Sequence, residues 1–232
     1  MFPNYIDIQL DANTVWVWQA NLNLPESSIA AFWDSLADDE RQRADRFRRE
    51  IDRTSFIAAR GILRALLGQY LQCDSREIQF SYRDRGKPFL ADSSWQFNLS
   101  HSGGLALYAI AANRAVGIDI EAIRDIEIEQ LAKRFFSDRE YRKLCQLKGE
   151  RQTEAFFTYW TAKEAYLKAT GEGLMGLQQV EILEEEDNLL LQLPLENPSQ
   201  FSLKKLSPRP GYAAALAVEG NDWTLKCVTC NL

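Results

Sequence analysis

Ala59-Arg-Gly-Ile-Leu-Arg-Ala-Leu-Leu-Gly68 and Ala162-Lys-Glu-Ala-Tyr-Leu-Lys-Ala-Thr-Gly171 lie in the two halves of one chain and line up position by position. Each reads as a long helix closed by glycine, the residue that best accepts the left-handed turn at a helix C-terminus. Each is followed, about ten residues on, by a strand pattern. The identities are few, but the pairing predicts an internal repeat. The expected fold is α+β: two similar lobes in one chain, 1–112 and 113–232, each a small antiparallel sheet packed with helices. No low-complexity linker separates them, so the lobes are expected to pack tightly.

Outward from the first segment, Phe56, Ala59, Leu63, Leu66, Leu67 and Tyr70 form a helical stripe over 52–71. Pro25-Glu-Ser-Ser opens an earlier helix, and Asp38-Asp39-Glu40 starts a second, Arg-rich one. Strands are expected at 5–10 and 14–20, then at 78–82, 95–99, 105–112 and 116–121, with Asn113 and Arg114 as a short hairpin link. Around the second segment the pattern predicts helices at 127–134, 137–147 and 150–170. Strands follow near 178–184, 188–193, 200–206, 211–218 and 223–229.

Composition excludes several classes. The 232 residues are 46% hydrophobic and 26% charged, which is enough for a real core. A net charge of −6 argues against a general nucleic-acid binder. No stretch reaches the roughly 18 apolar residues of a membrane helix. Asp7 and Asp11, with no early Lys or Arg, do not fit a secretory signal, so the expected location is the cytoplasm. Cys73, Cys145, Cys227 and Cys230 lack disulfide spacing. Cys227-Val-Thr-Cys230 lacks the second ligand pair of a zinc site and reads as part of a terminal strand.

Three segments can carry chemistry. In Val116-Gly-Ile-Asp-Ile-Glu121, strand alternation puts Asp119 and Glu121 on one face. Paired carboxylates repel unless a cation joins them, and oxygen ligands suit Mg²⁺. The same spacing also fits a strand with a polar outer face. In Trp160-Thr-Ala-Lys-Glu164-Ala-Tyr-Leu-Lys168, three side chains lie one helical turn apart. Glu164 can complete a carboxylate trio and Lys168 can meet a phosphate. Equally, the two form an ordinary helix-stabilising pair. Asn98-Leu-Ser100-His101-Ser-Gly-Gly104 holds the chain's one histidine and can bind an anion or form a plain polar loop. Arginines at 41, 43, 46, 48, 49 and 53 form a basic run, which by itself fits a solvated helix face. No phosphate loop, GxGxxG turn or nucleophile elbow is present.

In this order the segments resemble the 4'-phosphopantetheinyl transferases, in particular the larger two-lobed surfactin-synthetase-activator type. Gly86-Lys-Pro88, Asn98-x-Ser-His-Ser102, Gly117-Ile-Asp-Ile-Glu121 and Trp160-x-x-Lys-Glu-Ala-x-x-Lys168 carry the likeness, with Phe135-Phe-Ser-x-x-Glu140 between the last two. It spans about residues 40 to 175. The resemblance implies an active site in the cleft between the lobes and transfer of the phosphopantetheine arm of coenzyme A to a serine of an apo acyl or peptidyl carrier protein. It implies Asp119, Glu121 and Glu164 as Mg²⁺ ligands, with Glu164 also the candidate base and Lys168 beside the diphosphate. Ser100, His101 and Lys87 are implied at coenzyme A, and Arg43 at its 3'-phosphate. Arg53 and Arg60 are further candidates, placed by charge and helix position. Because Gly61 stands where the repeat has Glu164, one metal site is expected. A monomer is expected, with no nucleic-acid or membrane partner. Lys133, Arg134, Arg139 and Arg142 are the candidate carrier contact. The rival readings are another phosphoryl transferase, or a binding module built on the Arg41–Arg53 face.

Overall fold

The computed structural model describes residues 13–173, 176–185, 188–192 and 201–230; the strand expected at 5–10 falls outside them. The first half runs β1 (Thr14–Asn21), α1 (Glu26–Ser35), α2 (Asp38–Ala44), α3 (Glu50–Leu71), β2 (Ser81–Tyr82), β3 (Pro88–Phe89), β4 (Trp95–Ser102) and β5 (Leu105–Ala112). The second runs β6 (Val116–Ala122), α4 (Ile128–Phe135), α5 (Asp138–Gln146), α6 (Glu150–Thr170), β7 (Glu181–Glu185), β8 (Asn188–Gln192), β9 (Phe201–Leu206), β10 (Tyr212–Glu219) and β11 (Thr224–Thr229).

Alternation along the strands decides how the layers stack. Trp16 and Trp18 of β1 and Ala106, Tyr108 and Ile110 of β5 pack with α3. Val15, Val17, Leu105, Leu107 and Ala109 point the other way, against Val116, Ile118 and Ile120 of β6 and Leu216 of β10. Ala215 and Ala217, on the opposite face of β10, pack with α6. The order is therefore α3, sheet, sheet, α6, with an apolar layer shared by both sheets.

The two halves repeat in topology as well as in order. In each, a β-hairpin pairs antiparallel with an earlier strand: β4-β5-β1 in one sheet, β9-β10-β6 in the other. A buried device repeats too. Glu40, at the third position of α2, accepts from Arg60 Nε and Arg64 Nε at 2.6 Å each and from the Ala37 amide at 3.0 Å. Arg64 also donates to the Ser75 and Ile78 carbonyls, both at 2.9 Å. In the second half Glu140 of α5 accepts from Lys163 at 2.7 Å and from the Ser137 amide at 2.7 Å. Lys163 in turn donates to the Leu177 and Val180 carbonyls. Each ion pair is buried with every partner supplied, the condition under which such a pair can be held in a core.

Three expectations change. Asn113 and Arg114 do not make a hairpin, because β5 and β6 belong to different sheets. Asn113 takes a left-handed φ of 55°, and the chain steps from one layer to the other. Gly68 does not end α3. The helix continues to Leu71 and ends at Gln72, with φ 55°, while Gly68 lets the Cys73–Ser75 backbone pass close by. The terminal strand β11 leaves the second sheet and pairs parallel with β1, Trp16 opposite Lys226. Its Cys227 is exposed, and Cys230, just beyond the strand, is buried; both are free thiols.

Candidate active site

Because Val116, Ile118 and Ile120 fill the layer between the sheets, Gly117, Asp119 and Glu121 fall on the α6 side of β6. Gly117 makes the contact intimate: a methyl group there would overlap the Ala165 carbonyl and the Ala169 amide. The strand's carboxylates are thus laid along the helix face that carries Glu164 and Lys168. Lys168 Nζ donates to Asp119 Oδ1 at 2.6 Å and to Ser100 Oγ at 3.0 Å. Ser100 Oγ donates to the same Oδ1 at 2.8 Å. The other oxygen, Asp119 Oδ2, is buried and has no hydrogen-bond partner among the described residues.

Among the described residues the first lobe bonds to this strand through side chains. Asn98, Ser100 and Ser102 alternate along β4 on one face. Asn98 Oδ1 accepts from the Ile118 amide at 2.9 Å. Ser102 Oγ donates to Glu121 Oε2 at 2.8 Å and accepts from the Ala122 amide at 3.1 Å. The three side chains stand in for a backbone ladder between β4 and β6. Asn98 and Ser102 belong to the motif quoted from the sequence but were given no role of their own there, although their period of two with Ser100 was a visible signal. Arg124, also missed, donates to Glu121 Oε2 at 2.9 Å.

Charge in the site is unbalanced. Burial, and then the Asp119 and Glu121 carboxylates, push the Glu164 pKa up to about 7 against the pull of Lys168. His101 points away from the Asn-Ser-Ser face. Although its side chain is partly open to solvent, desolvation by the surrounding atoms and then the Lys168 ammonium lower its pKa below the usual histidine value, with Glu121 opposing.

A cavity of about 380 Å³ opens beside these groups, and its wall includes Arg43, Arg60, Lys87, His101, Glu164 and Lys168. Ser100, Asp119 and Glu121 are not on that wall; the first two lie behind Lys168. The Arg43 guanidinium stacks 5.4 Å from the Phe56 ring centre. Arg60 lines the cavity while bound to Glu40 and, at 3.2 Å, to the Tyr82 hydroxyl. Arg53 is not on the wall. It lies over Trp33 and pairs with Asp45 at 3.6 Å and Glu50 at 3.3 Å. Lys87 reaches the wall, but its ammonium is bound to backbone carbonyls of the second lobe. Arg85, on the turn before Gly86-Lys87, also faces the cavity and was not predicted. Lys133, Arg134, Arg139 and Arg142 are exposed on α4 and α5, away from the cavity.

The donor set suits a hard divalent cation shared with a substrate. Among the described residues no three acidic, histidine or cysteine side chains are grouped so that they could hold a metal ion by themselves. Mg²⁺ often takes only one or two protein carboxylates and fills its shell with water and phosphate oxygens. The unpartnered Asp119 Oδ2 and the raised pKa of Glu164 fit such an arrangement. The first lobe's counterpart is closed: at Gly61 any side chain would run into Phe32 of α1.

Comparison with known proteins covers most of the chain. The N-terminal 4'-phosphopantetheinyl transferase family model matches residues 23–114, and the 4'-phosphopantetheinyl transferase superfamily model matches 115–217. The 4'-phosphopantetheinyl transferase HetI of Nostoc sp. is 42% identical over 229 residues, covering 97% of this chain and 95% of HetI. The 4'-phosphopantetheinyl transferase Sfp of Bacillus subtilis is 30% identical over 203 residues, covering 86% and 89%. Among solved structures, the Bacillus anthracis holo-(acyl-carrier-protein) synthase in complex with CoA is 26% identical, with a TM-score of 0.37, over 46% of this chain and 96% of that one. With HetI 42% identical over nearly its full length, the chain belongs to the 4'-phosphopantetheinyl transferase family.

Proposed function

We propose that this protein transfers the 4'-phosphopantetheine arm of coenzyme A to a serine hydroxyl of an apo carrier protein and releases 3',5'-ADP, with Mg²⁺ as cofactor. The observation that carries the proposal is the meeting, beside one cavity, of the Lys168–Asp119–Ser100 cluster with an unpartnered Asp119 Oδ2 and a Glu164 poised near neutrality.

Asp119, Glu121 and Glu164 would hold the metal, which when bound supplies positive charge at the diphosphate oxygens. Lys168 lies one turn from Glu164 and is placed to share that work at the leaving phosphate. Arg43, which also lines the cavity, would meet a second anionic group, the 3'-phosphate. Ser100 holds Lys168 and Asp119 in place, and neutral His101 offers a donor to a phosphate oxygen. The carrier serine oxygen bonds to phosphorus as the anhydride P–O bond breaks. The serine proton passes to the Glu164 carboxylate. The basic face of α4 and α5 is the proposed carrier contact, and the whole is proposed to act as a monomer.

The direct test is the intact mass of an apo carrier protein incubated with this protein, coenzyme A and Mg²⁺. A gain of one phosphopantetheine arm, prevented by EDTA, is expected. A folded protein that binds coenzyme A but leaves several different carriers unmodified would overturn the proposal.

A further inference from the structure

Lys87 belongs to the first lobe, just before β3, yet its ammonium ends inside the second. It donates to the carbonyls of Val116 at 3.3 Å, Ala169 at 3.1 Å and Lys168. Val116 opens β6, and Lys168 and Ala169 lie in the last turn of α6. A lysine ammonium has three N–H donors and no acceptor. All three are in use, so none is left for a phosphate.

The acceptors are of a particular kind. The last carbonyls of a helix have no partner within it and carry the negative end of its dipole. Lys87 gives two of them a cation. The cost of this burial shows in the ammonium itself: desolvation, and then the Arg83 charge, lower the Lys87 pKa to about 8. The third acceptor, Val116, precedes Gly117, whose backbone already lies against Ala165 and Ala169 of the same helix end. One side chain therefore joins three pieces of backbone, and two of those pieces carry the reactive groups.

We propose that Lys87 is a positioning residue: a first-lobe ammonium that locks the start of β6 to the end of α6, and so sets Asp119 and Glu121 against Glu164 and Lys168, without touching the nucleotide. This departs from the role the family resemblance implies for it. It rests on the transferase reading in its activity, Mg²⁺ and nucleotide readouts, and not in its amide-exchange readout. A displacement of about 1 Å between strand and helix is enough to cost an active site on the order of a hundredfold.

The test is Lys87→Met, which keeps the stem and removes the donors. Three results are expected together. Turnover falls at least about tenfold, and the Mg²⁺ concentration for half-maximal rate rises about tenfold. The Kd for 3',5'-ADP changes less than about threefold. Amide hydrogen exchange quickens at the end of α6 and the start of β6 in the ligand-free protein. Lost 3',5'-ADP affinity with unchanged exchange and an unchanged Mg²⁺ response would overturn the proposal and make Lys87 a nucleotide contact. If Lys87→Met does not fold, the wild-type lysine NH₃⁺ signals decide, assigned with Lys87→Arg. A protected Lys87 signal that stays in place as 3',5'-ADP saturates supports the lock. A freely exchanging signal, or one that moves with nucleotide, overturns it. These exchange measurements decide even for a wild type without transferase activity.

Discussion

Glu164 sits between two like charges and one opposite one, and burial raises its pKa to about 7. The group is ionised less readily in the folded chain than in the unfolded one, so the native state holds the extra proton between the two pKa values. In the metal-free protein its contribution to stability therefore falls as pH rises from about 4.5 towards 7. Glu164→Gln removes that penalty. Metal-free Glu164→Gln is expected to be more stable than the parent at pH 8, by on the order of 1 kcal/mol once solvent screening is allowed for, and equal to it at pH 4. Urea unfolding at the two pH values measures this. The same variant should lose about a thousandfold in turnover while binding coenzyme A within about threefold of the parent. Unimpaired turnover would remove Glu164 from the base role. On the cavity wall, Arg43→Ala should weaken coenzyme A about tenfold more than 3'-dephospho-coenzyme A, as calorimetry can show. Equal losses for the two ligands would place the 3'-phosphate elsewhere. These residues were legible as candidates because carboxylates at i, i+2 on a strand and a Glu–Lys pair at i, i+4 on a helix point one way each. That the two faces meet was not legible, and neither was the committed state of Lys87, since carbonyl partners leave no mark in a side-chain pattern.

β6 shows how an element becomes a platform. Its isoleucines anchor it between the sheets, its carboxylates take the other face, and Gly117 sets the distance to α6. Gly117→Ala is expected to force strand and helix apart, at a cost of about 1–3 kcal/mol in denaturant stability. Turnover should fall further than that loss of folded protein explains. A fully active, equally stable Gly117→Ala protein would show that the close approach does not matter. The hairpin expected at Asn113-Arg114 failed here for a related reason. Its turn residues were read correctly as a reversal, but two adjacent apolar strands can pair in one sheet or face each other from two, and local sequence does not distinguish these. Gly68 misled in the same way: a glycine near a helix end can cap it or make room beside it.

For the whole molecule, the apolar layer between the sheets belongs to both halves, and β11 crosses from the second half to the edge of the first sheet beside β1. The halves are therefore expected to unfold together. Heating should give coincident transitions by circular dichroism and by the fluorescence of Trp16, Trp18 and Trp160, which lie on opposite sides of the shared layer. Two separated transitions would show independent lobes. A chain ending at Gly220 lacks β11 and exposes the β1 edge. Its midpoint should drop by more than about 5 °C, with a greater tendency to associate.

The sequence by itself determined the elements, their repetition and the family, because periodicity, capping residues and four ordered motifs are local or simply additive along the chain. It also named candidate side chains for the chemistry. Only the tertiary structure decided the pairings: two sheets packed face to face, β11 returned to β1, and Asn98, Ser100 and Ser102 bridging to β6. It also decided that the first lobe's equivalent of Glu164 is sealed under Phe32. The reason is physical. A strand's face is set by its own alternation, but what lies opposite that face depends on how distant apolar surfaces share one core.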